Sequence, residues 1–308
     1  MVVEKQTMSM SSTKIQSLKK DKRKRFWAPY LFVLPNLLIF LIFIIIPAIM
    51  GLVYSFTNYN GVSKFSFIGL ENYTRLFASE EFWKVFLNTI QYAVMVVPLV
   101  FAVSLFAAVL LIKELKGRGF FRAIFYWPTM ISFIIVGLTW KWIFGDSFGI
   151  VTYLLEAFHL PAVKWLSDPF FAKASIVMAT VWSRLGFFMV IFIAGLQSIP
   201  ASYYEAAQLD GAGRWQTFWK ITFPLLKPTS LLVFLLLVVE SAKSYPLVFA
   251  LTGGGPAKET TLIVQYIYEN GFTKSDVGYA SAMSVILFVV IAVFSLIQYK
   301  WAKGGSYE

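Results

Sequence analysis

The segment 204–228 reads YEAAQLDGAGRWQTFWKITFPLLKP and is the one long polar interruption in the apolar second half of the chain. Its glutamate and two alanines favour a short helix over 201–210, and Gly211 with Gly213 supplies the flexible backbone that ends such a helix. A second amphipathic helix then leads into Pro224. If the flanking apolar runs span a bilayer, this first helix is held at one membrane face, where a partner can push on it.

The composition is that of a multi-span membrane protein. Of the 308 residues, 58% are hydrophobic and 14% are charged, whereas soluble domains carry about 25% charged residues. The net charge is +11, but the basic residues sit in short runs beside apolar segments, which argues against a nucleic-acid partner. The chain has no cysteine and one histidine, His159, so neither a disulfide framework nor a metal centre is expected.

Long apolar runs predict the fold class, an all-α membrane protein with six transmembrane helices. Each run exceeds the ~20 residues that cross ~30 Å of hydrocarbon as a helix. The six runs cover residues 30–56, 86–112, 120–144, 171–196, 225–251 and 277–301. The first run is too long for a signal-peptide core and lacks a small-residue cleavage site, so we expect it to remain as a span.

The distribution of positive charge predicts that both termini are cytoplasmic. Of the 27 Lys and Arg residues, 17 lie in or beside the two tails and the loops at 113–119 and 197–224, and 7 lie in the opposite loops. Cytoplasmic loops carry such an excess of positive charge. We therefore divide the chain into a basic cytoplasmic tail at 1–25, a six-span domain at 26–303 and a short cytoplasmic tail at 304–308.

Charged residues lie deep within the fourth and fifth predicted spans. Arg184 and Glu240 lie about 18 and 21 Å from the cytoplasmic ends of the fourth and fifth spans, at 1.5 Å per residue. Lys243 lies one helical turn beyond Glu240 on the same face, and Phe187 lies on the Arg184 face. Charges at such depth are costly and mark functional sites by default.

Two interpretations of these charges remain open. Arg184 and Glu240 can form an ion pair between helices that only specifies packing. Alternatively, they line a polar cavity in which an aromatic face beside hydrogen-bonding groups suits a sugar ring. The cluster has one positive charge in excess, which favours an anionic solute, although Lys243 can also extend toward the outer interface.

No pattern in the sequence predicts catalysis. The chain lacks the GxxxxGK[ST] phosphate loop and the GxSxG nucleophile turn, and no two carboxylates pair within a span. We therefore predict a transport subunit that is not an enzyme and that carries no cofactor. If ATP energises transport, its hydrolysis with Mg²⁺ belongs to another chain.

The segment described first identifies a family. Glu205-Ala206-Ala207, three residues and Gly211, then nine residues to Ile221 and on to Pro224, resemble the EAA loop of binding-protein-dependent ABC importer permeases. Phe223 stands where that family has leucine. The runs GLQSIP at 195–200 and LTGGGP at 251–256 resemble the carbohydrate-uptake, maltose MalF-like subfamily. The resemblance covers about 27–303.

The resemblance implies partners and a location. It implies a second related permease subunit, two cytoplasmic ATPase subunits and an extracytoplasmic solute-binding protein, in the cytoplasmic membrane of a bacterium or archaeon. In this family the EAA helix sits in a groove of the ATPase and transmits its closure to the spans. The residues that it implies for ATPase coupling here are Tyr204, Glu205, Ala206, Ala207, Asp210 and Gly211.

The resemblance also implies a set of substrate-binding positions. Counted from the EAA loop, they are Arg184, Phe187, Leu236, Val239, Glu240 and Lys243. Many relatives look uncharged at the first and fifth of these positions. The sequence thus predicts a transmembrane subunit of an ATP-driven importer of sugars or oligosaccharides. The alternative is a stand-alone secondary transporter or channel, which would need neither ATPase nor binding protein; the chain shows no inverted repeat that would support it.

Overall fold

A computed structural model describes residues 30–62, 65–113 and 116–303, with side chains to residue 300. The two predicted tails, 1–25 and 304–308, lie outside the described residues. The described chain is helical and contains no strand. Its helices, numbered in chain order, are α1 Tyr30–Tyr54, α2 Glu71–Ala78, α3 Glu80–Leu111, α4 Arg118–Tyr126, α5 Phe133–Ile143, α6 Ile150–Ala157, α7 Pro169–Gln197, α8 Ala201–Leu209, α9 Arg214–Leu225, α10 Lys227–Ala242, α11 Pro246–Thr252, α12 Ile263–Tyr268 and α13 Val277–Lys303.

The chain divides into two compact units, and α1 belongs to the first, which ends at Tyr54. This helix has 25 residues with a mean hydropathy of 2.9, and none of that stretch is buried within the chain. Five of its residues, Leu41–Ile45, form a π-helical turn. Its length and its uniformly apolar surface suit a helix that lies in lipid or against another membrane subunit.

The second unit, from Ser55 onward, is built around the parallel pair α3 and α7. Tyr92 and Ser104 of α3 hydrogen-bond to α7 at Thr180 and at the carbonyl of Leu185, in the same order along both helices. Side chains from α3, α5, α7, α10 and α11 fill one continuous apolar core around this pair. Because α8 follows α7 directly, it lies at the end where α3 and α7 finish.

Close helix contacts fix two neighbours of this pair. Gly137 of α5 lies so near α11 that an added Cβ would stand 2.6 Å from the carbonyl oxygen of Leu247. Gly186 of α7 leaves room for the backbone of Phe125 at the end of α4, where any Cβ would collide with its carbonyl oxygen. These two glycines are where a side chain would separate packed helices.

The third and fifth predicted runs are broken helices. Among the described residues, four helices are long and apolar enough to span a membrane, and two bent pairs make six if each counts as one span. In the third run, the helix through Met130 meets α5 at 100°, because Pro128 and the extended Ile131 interrupt it. The second bent pair is α9 and α10, which meet at 68° at the start of the fifth run. Within that run, α10 ends at Ala242 and α11 begins at Pro246, which has no N–H to continue the helix.

The end of the bundle opposite α8 is closed by a smaller apolar cluster. Leu76 of α2, Phe82 and Val85 of α3, Ile263 of α12 and Met283 of α13 are fully buried there. Asn72 donates to the carbonyls of Ser55 and Thr57, which ties the chain before α2 to this cluster. We refer to this as the α12 end and to the opposite one as the α8 end.

Candidate functional site

A polar cavity of about 260 Å³ lies inside the bundle, beside the break between α10 and α11. Helices α3, α5, α7, α10 and α11 all contribute to its wall. The lining residues are Tyr92, Val96, Phe133, Thr180, Arg184, Leu237, Val239, Glu240, Ser241, Lys243, Ser244, Pro246 and Leu247. Irregular backbone at membrane depth is tolerated where it lines such a cavity, so the cavity explains why the break between α10 and α11 is possible at this position.

Arg184 and Glu240 form the charged centre of the cavity. The Nη2 atom of Arg184 lies 3.1 Å from Oε2 of Glu240, and the two side chains are 25% and 32% exposed. The guanidinium carbon of Arg184 also lies 4.2 Å from the ring centre of Phe133, on α5. Arg184 thus has a carboxylate on one side and an aromatic face on the other, which orients its planar group.

Hydroxyl groups line the cavity on the side toward the α12 end. The phenol oxygen of Tyr92 lies 3.0 Å from Thr180 Oγ1 and 3.3 Å from Ser244 Oγ. Tyr92 is buried in α3, and its two partners belong to α7 and to the break after α10. Three separate segments therefore meet at this one side chain.

The structure brings four of the six predicted substrate positions together. Arg184, Val239, Glu240 and Lys243 all line the cavity, and Lys243 is the exposed residue that follows the last residue of α10. Phe187 and Leu236 are not among the lining residues. Phe187 points to an exposed face of α7, edge-on against Phe188, and Leu236 packs on the apolar core.

Sequence reasoning missed Phe133, Tyr92, Thr180 and Ser244. The last three could have been found from the sequence, because each carries a hydroxyl group inside an apolar run. Side chains that face lipid are apolar, so a hydroxyl in such a run indicates a position that faces the interior of the protein. Phe133 carries no such signal, since phenylalanine is common in every span of this chain. Its place over Arg184 depends on the 100° bend before α5.

This lining suits a sugar. An aromatic ring offers an apolar face, and arginine, glutamate, tyrosine and serine side chains offer donors and acceptors for hydroxyl groups. Arg184 and Lys243 against Glu240 leave one positive charge in excess. A carboxylated ring would meet that charge, whereas a neutral ring would use only the hydrogen-bonding groups.

Helix α8 forms the second candidate site, at the α8 end. Ala207 is buried and Tyr204 is half-buried, whereas Glu205, Ala206 and Asp210 are exposed, so the helix presents an acidic face. The hydroxyl of Tyr204 lies 3.3 Å from Thr222 Oγ1 in α9. Leu209, at the end of α8, is 89% exposed and adds an apolar side chain to this surface.

Gly211 ends α8 in a left-handed turn with φ of +73°. Its N–H donates to the carbonyl of Gln208 at 3.1 Å, and the N–H of Ala212 donates to Ala207 at 2.9 Å. No atom crowds the position of a Cβ at Gly211, so the requirement for glycine comes from the backbone angle alone. The turn fixes the direction in which α9 leaves α8.

Comparison with known proteins assigns the family. A family model described as "Binding-protein-dependent transport system inner membrane component" matches residues 75–303. The probable starch degradation products transport system permease protein AmyD of Thermoanaerobacterium thermosulfurigenes is 36% identical over 270 residues, which are 87% of this chain and 91% of that protein.

Two crystal structures share the fold. One, of a bacterial ABC transporter involved in the import of the acidic polysaccharide alginate, contains a chain with a TM-score of 0.82 and 26% identity, over 92% of this chain and 98% of that one. The other, of a bacterial alginate ABC transporter in complex with alginate pentasaccharide-bound periplasmic protein, gives 0.80 and 27%, over 89% and 93%. These matches confirm the predicted importer-permease architecture, and the chain belongs to the family of binding-protein-dependent transport system inner membrane components.

Proposed function

We propose that this chain is a transmembrane subunit of an ATP-driven importer of sugars or oligosaccharides and forms part of the translocation path. The observation that carries the proposal is the cavity inside the bundle, where Arg184 lies between Glu240 and the ring of Phe133. A packing ion pair would need no aromatic wall and no surrounding space. The similarity to AmyD and to the alginate transporter supports a sugar as the solute.

The charge of the cavity favours an acidic sugar over a neutral one. Two cations and one carboxylate face the space, so a uronate carboxylate can pair with Arg184 or Lys243 without displacing Glu240. The related alginate importer takes an acidic polysaccharide. A neutral oligosaccharide, such as the starch products named for AmyD, is the alternative that uptake measurements separate.

The proposed assembly has four kinds of component besides lipid. A second related permease completes the path, two ATPase subunits bind ATP and Mg²⁺, and an extracytoplasmic binding protein delivers the solute. The exposed face of α8 and the Gly211 turn support contact with an ATPase, in which Glu205 meets a basic residue. The α8 end then faces the cytoplasm and the α12 end faces outward, in the cytoplasmic membrane of a bacterium or archaeon.

In the proposed mechanism, α8 is a lever. It is a short rigid helix, and the Gly211 turn fixes its orientation relative to α9. A displacement of the bound ATPase therefore moves α9 and α10 instead of bending a flexible connection. ATP binding closes the ATPase pair and turns the cavity outward, and hydrolysis lets it reopen inward. The chain's own residues bind the solute and transmit the motion.

Reconstitution of the complex tests the proposal. The chain is purified with its partner permease and ATPases in proteoliposomes, and uptake of labelled acidic and neutral oligosaccharides is measured with ATP and the binding protein. We expect uptake to require both. The isolated chain under an ion gradient is the control for the rival function; solute movement by that chain alone would support a secondary transporter or channel.

A further inference from the structure

The segment 253–262, which joins α11 to α12, crosses the starts of α3 and α7 at the α12 end. Lys84 donates to the carbonyl of Ala257 at 3.0 Å, and Asn88 donates to that of Lys258 at 2.9 Å. The N–H of Ile263 donates to Thr89 Oγ1 at 2.9 Å. We call 253–262 the strap.

The strap is braced internally, so it can move as a unit. Thr260 Oγ1 donates to the carbonyl of Gly255 at 2.6 Å and lies 2.8 Å from Thr252 Oγ1. Thr261 Oγ1 donates to the carbonyl of Gly254, and Gln265 donates to that of Gly253. These bonds hold the loop together without help from α3 or α7.

One carboxylate of the strap bridges α3 and α7. Glu259 forms two ion pairs, one through each carboxylate oxygen. Its Oε1 lies 2.9 Å from Nζ of Lys84 in α3, and its Oε2 lies 3.0 Å from Nζ of Lys173 in α7. Lys173 also donates to Gln91 of α3. A second ion pair, between Lys258 of the strap and Glu81, lies beside the first.

A second, much smaller space lies between this bridge and the polar cavity. It measures about 10 Å³, room for no more than one water molecule, and its lining includes Asn88, Lys173, Glu259 and Tyr92. Tyr92 also lines the polar cavity, where its hydroxyl contacts α7 and the α10–α11 break. Tyr92 therefore separates the two spaces.

We propose that Tyr92 and the Lys84–Glu259–Lys173 bridge form a two-layer gate that closes the polar cavity toward the α12 end. The bridge locks the strap across two helices, and the tyrosine fills the passage beneath it. Opening requires the strap to leave Lys84 and Lys173, and the phenol to release Thr180 and Ser244. The proposal rests on the proposed function only in treating the cavity as part of a transport path.

The absence of cysteine makes a thiol-accessibility test direct. Val239→Cys places one reporter in the cavity on the α8 side of Tyr92, in a complex whose partner subunits carry no reactive cysteine. Membrane-impermeant methanethiosulfonates, one cationic and one anionic, are added from the side that the α12 end faces. Val62→Cys, at a residue 93% exposed in the loop before α2, reports that side.

We expect slow labelling of the reporter and an increase of about tenfold when either Glu259→Gln or Tyr92→Phe is added, the change that 1.4 kcal/mol makes in an open population. The labelling rate should rise for both reagents, because a wider passage admits a cation and an anion alike. The matched control is Glu71→Gln, which removes an exposed carboxylate of α2 at the same end and should leave the rate unchanged.

Three outcomes would overturn the gate. A reporter that labels as fast as Val62→Cys without any gate mutation would show an open path. Acceleration of the anionic reagent alone in Glu259→Gln would show a change of local potential rather than of aperture. A rate unchanged in either variant would remove that residue from the gate. Labelling uses no solute, so these results are distinguishable from a failure of sugar uptake.

Discussion

Arg184 and Glu240 meet at 3.1 Å and thereby join α7 to α10, the helix that ends at the break in the fifth run. Removal of one partner from a fully buried pair costs about 3–5 kcal/mol, because the other charge is left uncompensated. Here both side chains face the cavity and are a quarter to a third exposed, so water reduces that cost. The pair can therefore exchange partners with a solute.

Arg184→Ser should change solute choice and leave assembly intact. The substitution removes the cation that a uronate would meet, so uptake of an acidic oligosaccharide should fall by about tenfold, a loss of 1.4 kcal/mol, relative to a neutral one. The measurement is competitive uptake in proteoliposomes, with complex integrity followed by size-exclusion chromatography.

The double variant Arg184→Ser/Glu240→Gln serves as its control, since it removes both charges and so leaves no unpaired carboxylate. If Arg184→Ser disrupts the complex and the double variant restores it, without any change in solute preference, the pair serves packing and the binding role is rejected.

Gly211→Pro should uncouple ATP hydrolysis from uptake while the protein still inserts in the membrane. Proline fixes φ near −65°, whereas Gly211 has +73°, so the turn after α8 cannot form. Gly213→Ala is the matched control, because Gly213 has φ of −68° and open space around its Cβ position. ATPase rate and uptake are measured on the same vesicles. Normal coupling in Gly211→Pro would contradict the lever.

Glu205→Lys should weaken contact with the ATPase without affecting the fold of this chain. Glu205 is exposed on α8, so its side chain contributes little to packing, and reversal of its charge would repel a basic groove. Co-purification of the ATPase subunits measures the effect, and raising the salt concentration should reduce the difference from the native chain. Unchanged ATPase binding at low salt would mean that Glu205 faces no cation.

Glu259 should stabilise the strap at neutral pH and lose that effect only in acid. Hydrogen bonds from Lys84 and Lys173 hold the pKa of Glu259 below its ordinary value of 4.5. A depressed pKa contributes stability that is fully present above the unfolded value and is lost as pH falls through the folded one.

The thermal unfolding midpoint should therefore differ between the native chain and Glu259→Gln by a constant amount above pH 4.5, and the difference should shrink below it. Lys258 and Glu81 form the neighbouring ion pair, so Glu81→Gln is measured in parallel. A difference that already disappears near neutral pH would contradict the assigned partners.

Gly137→Val should destabilise the bundle, because its Cβ would stand 2.6 Å from the Leu247 carbonyl oxygen and 2.7 Å from the Cβ of Ala250. Overpacking of this kind costs about 1–3 kcal/mol. Gly51→Ala in α1 is the control, since nothing lies within 4 Å of its Cβ position. Thermal midpoints of the purified complex give the comparison; equal midpoints would show that α5 and α11 can separate without cost.

The sequence predicted where the apolar helical segments lie, because apolar length is a property of each segment alone, but it did not predict the breaks in the third and fifth runs. It also placed Arg184 level with Glu240, since depth along a straight helix follows from residue count. Lys243 lines the same cavity as Glu240, as the helical spacing suggested. The helix α8 and its glycine turn lie where the segment 204–228 indicates. The role of α8 as a lever and its contacts with a partner remain predictions.

Features that depend on contacts between segments were not predicted. Phe187 was placed beside Arg184 by spacing on α7, but it lies on an exposed face of that helix, and Phe133 of α5 takes the neighbouring position. Phe133 reaches this position because of the 100° bend before α5, and the periodicity within one run does not reveal such a bend. The role of Tyr92 likewise depends on three segments that meet only in the fold.

The interruption between Ala242 and Pro246 has a consequence for hydration. Irregular backbone at membrane depth is tolerated where it lines a water-filled cavity, so we expect the chamber beside the break to stay wet when it holds no solute. An entering sugar then trades part of its hydration shell for the polar groups that line this chamber rather than shedding it into a dry pore. A permanently wet chamber must also never open at both ends together, because a continuous column of water would let protons and ions leak across the membrane.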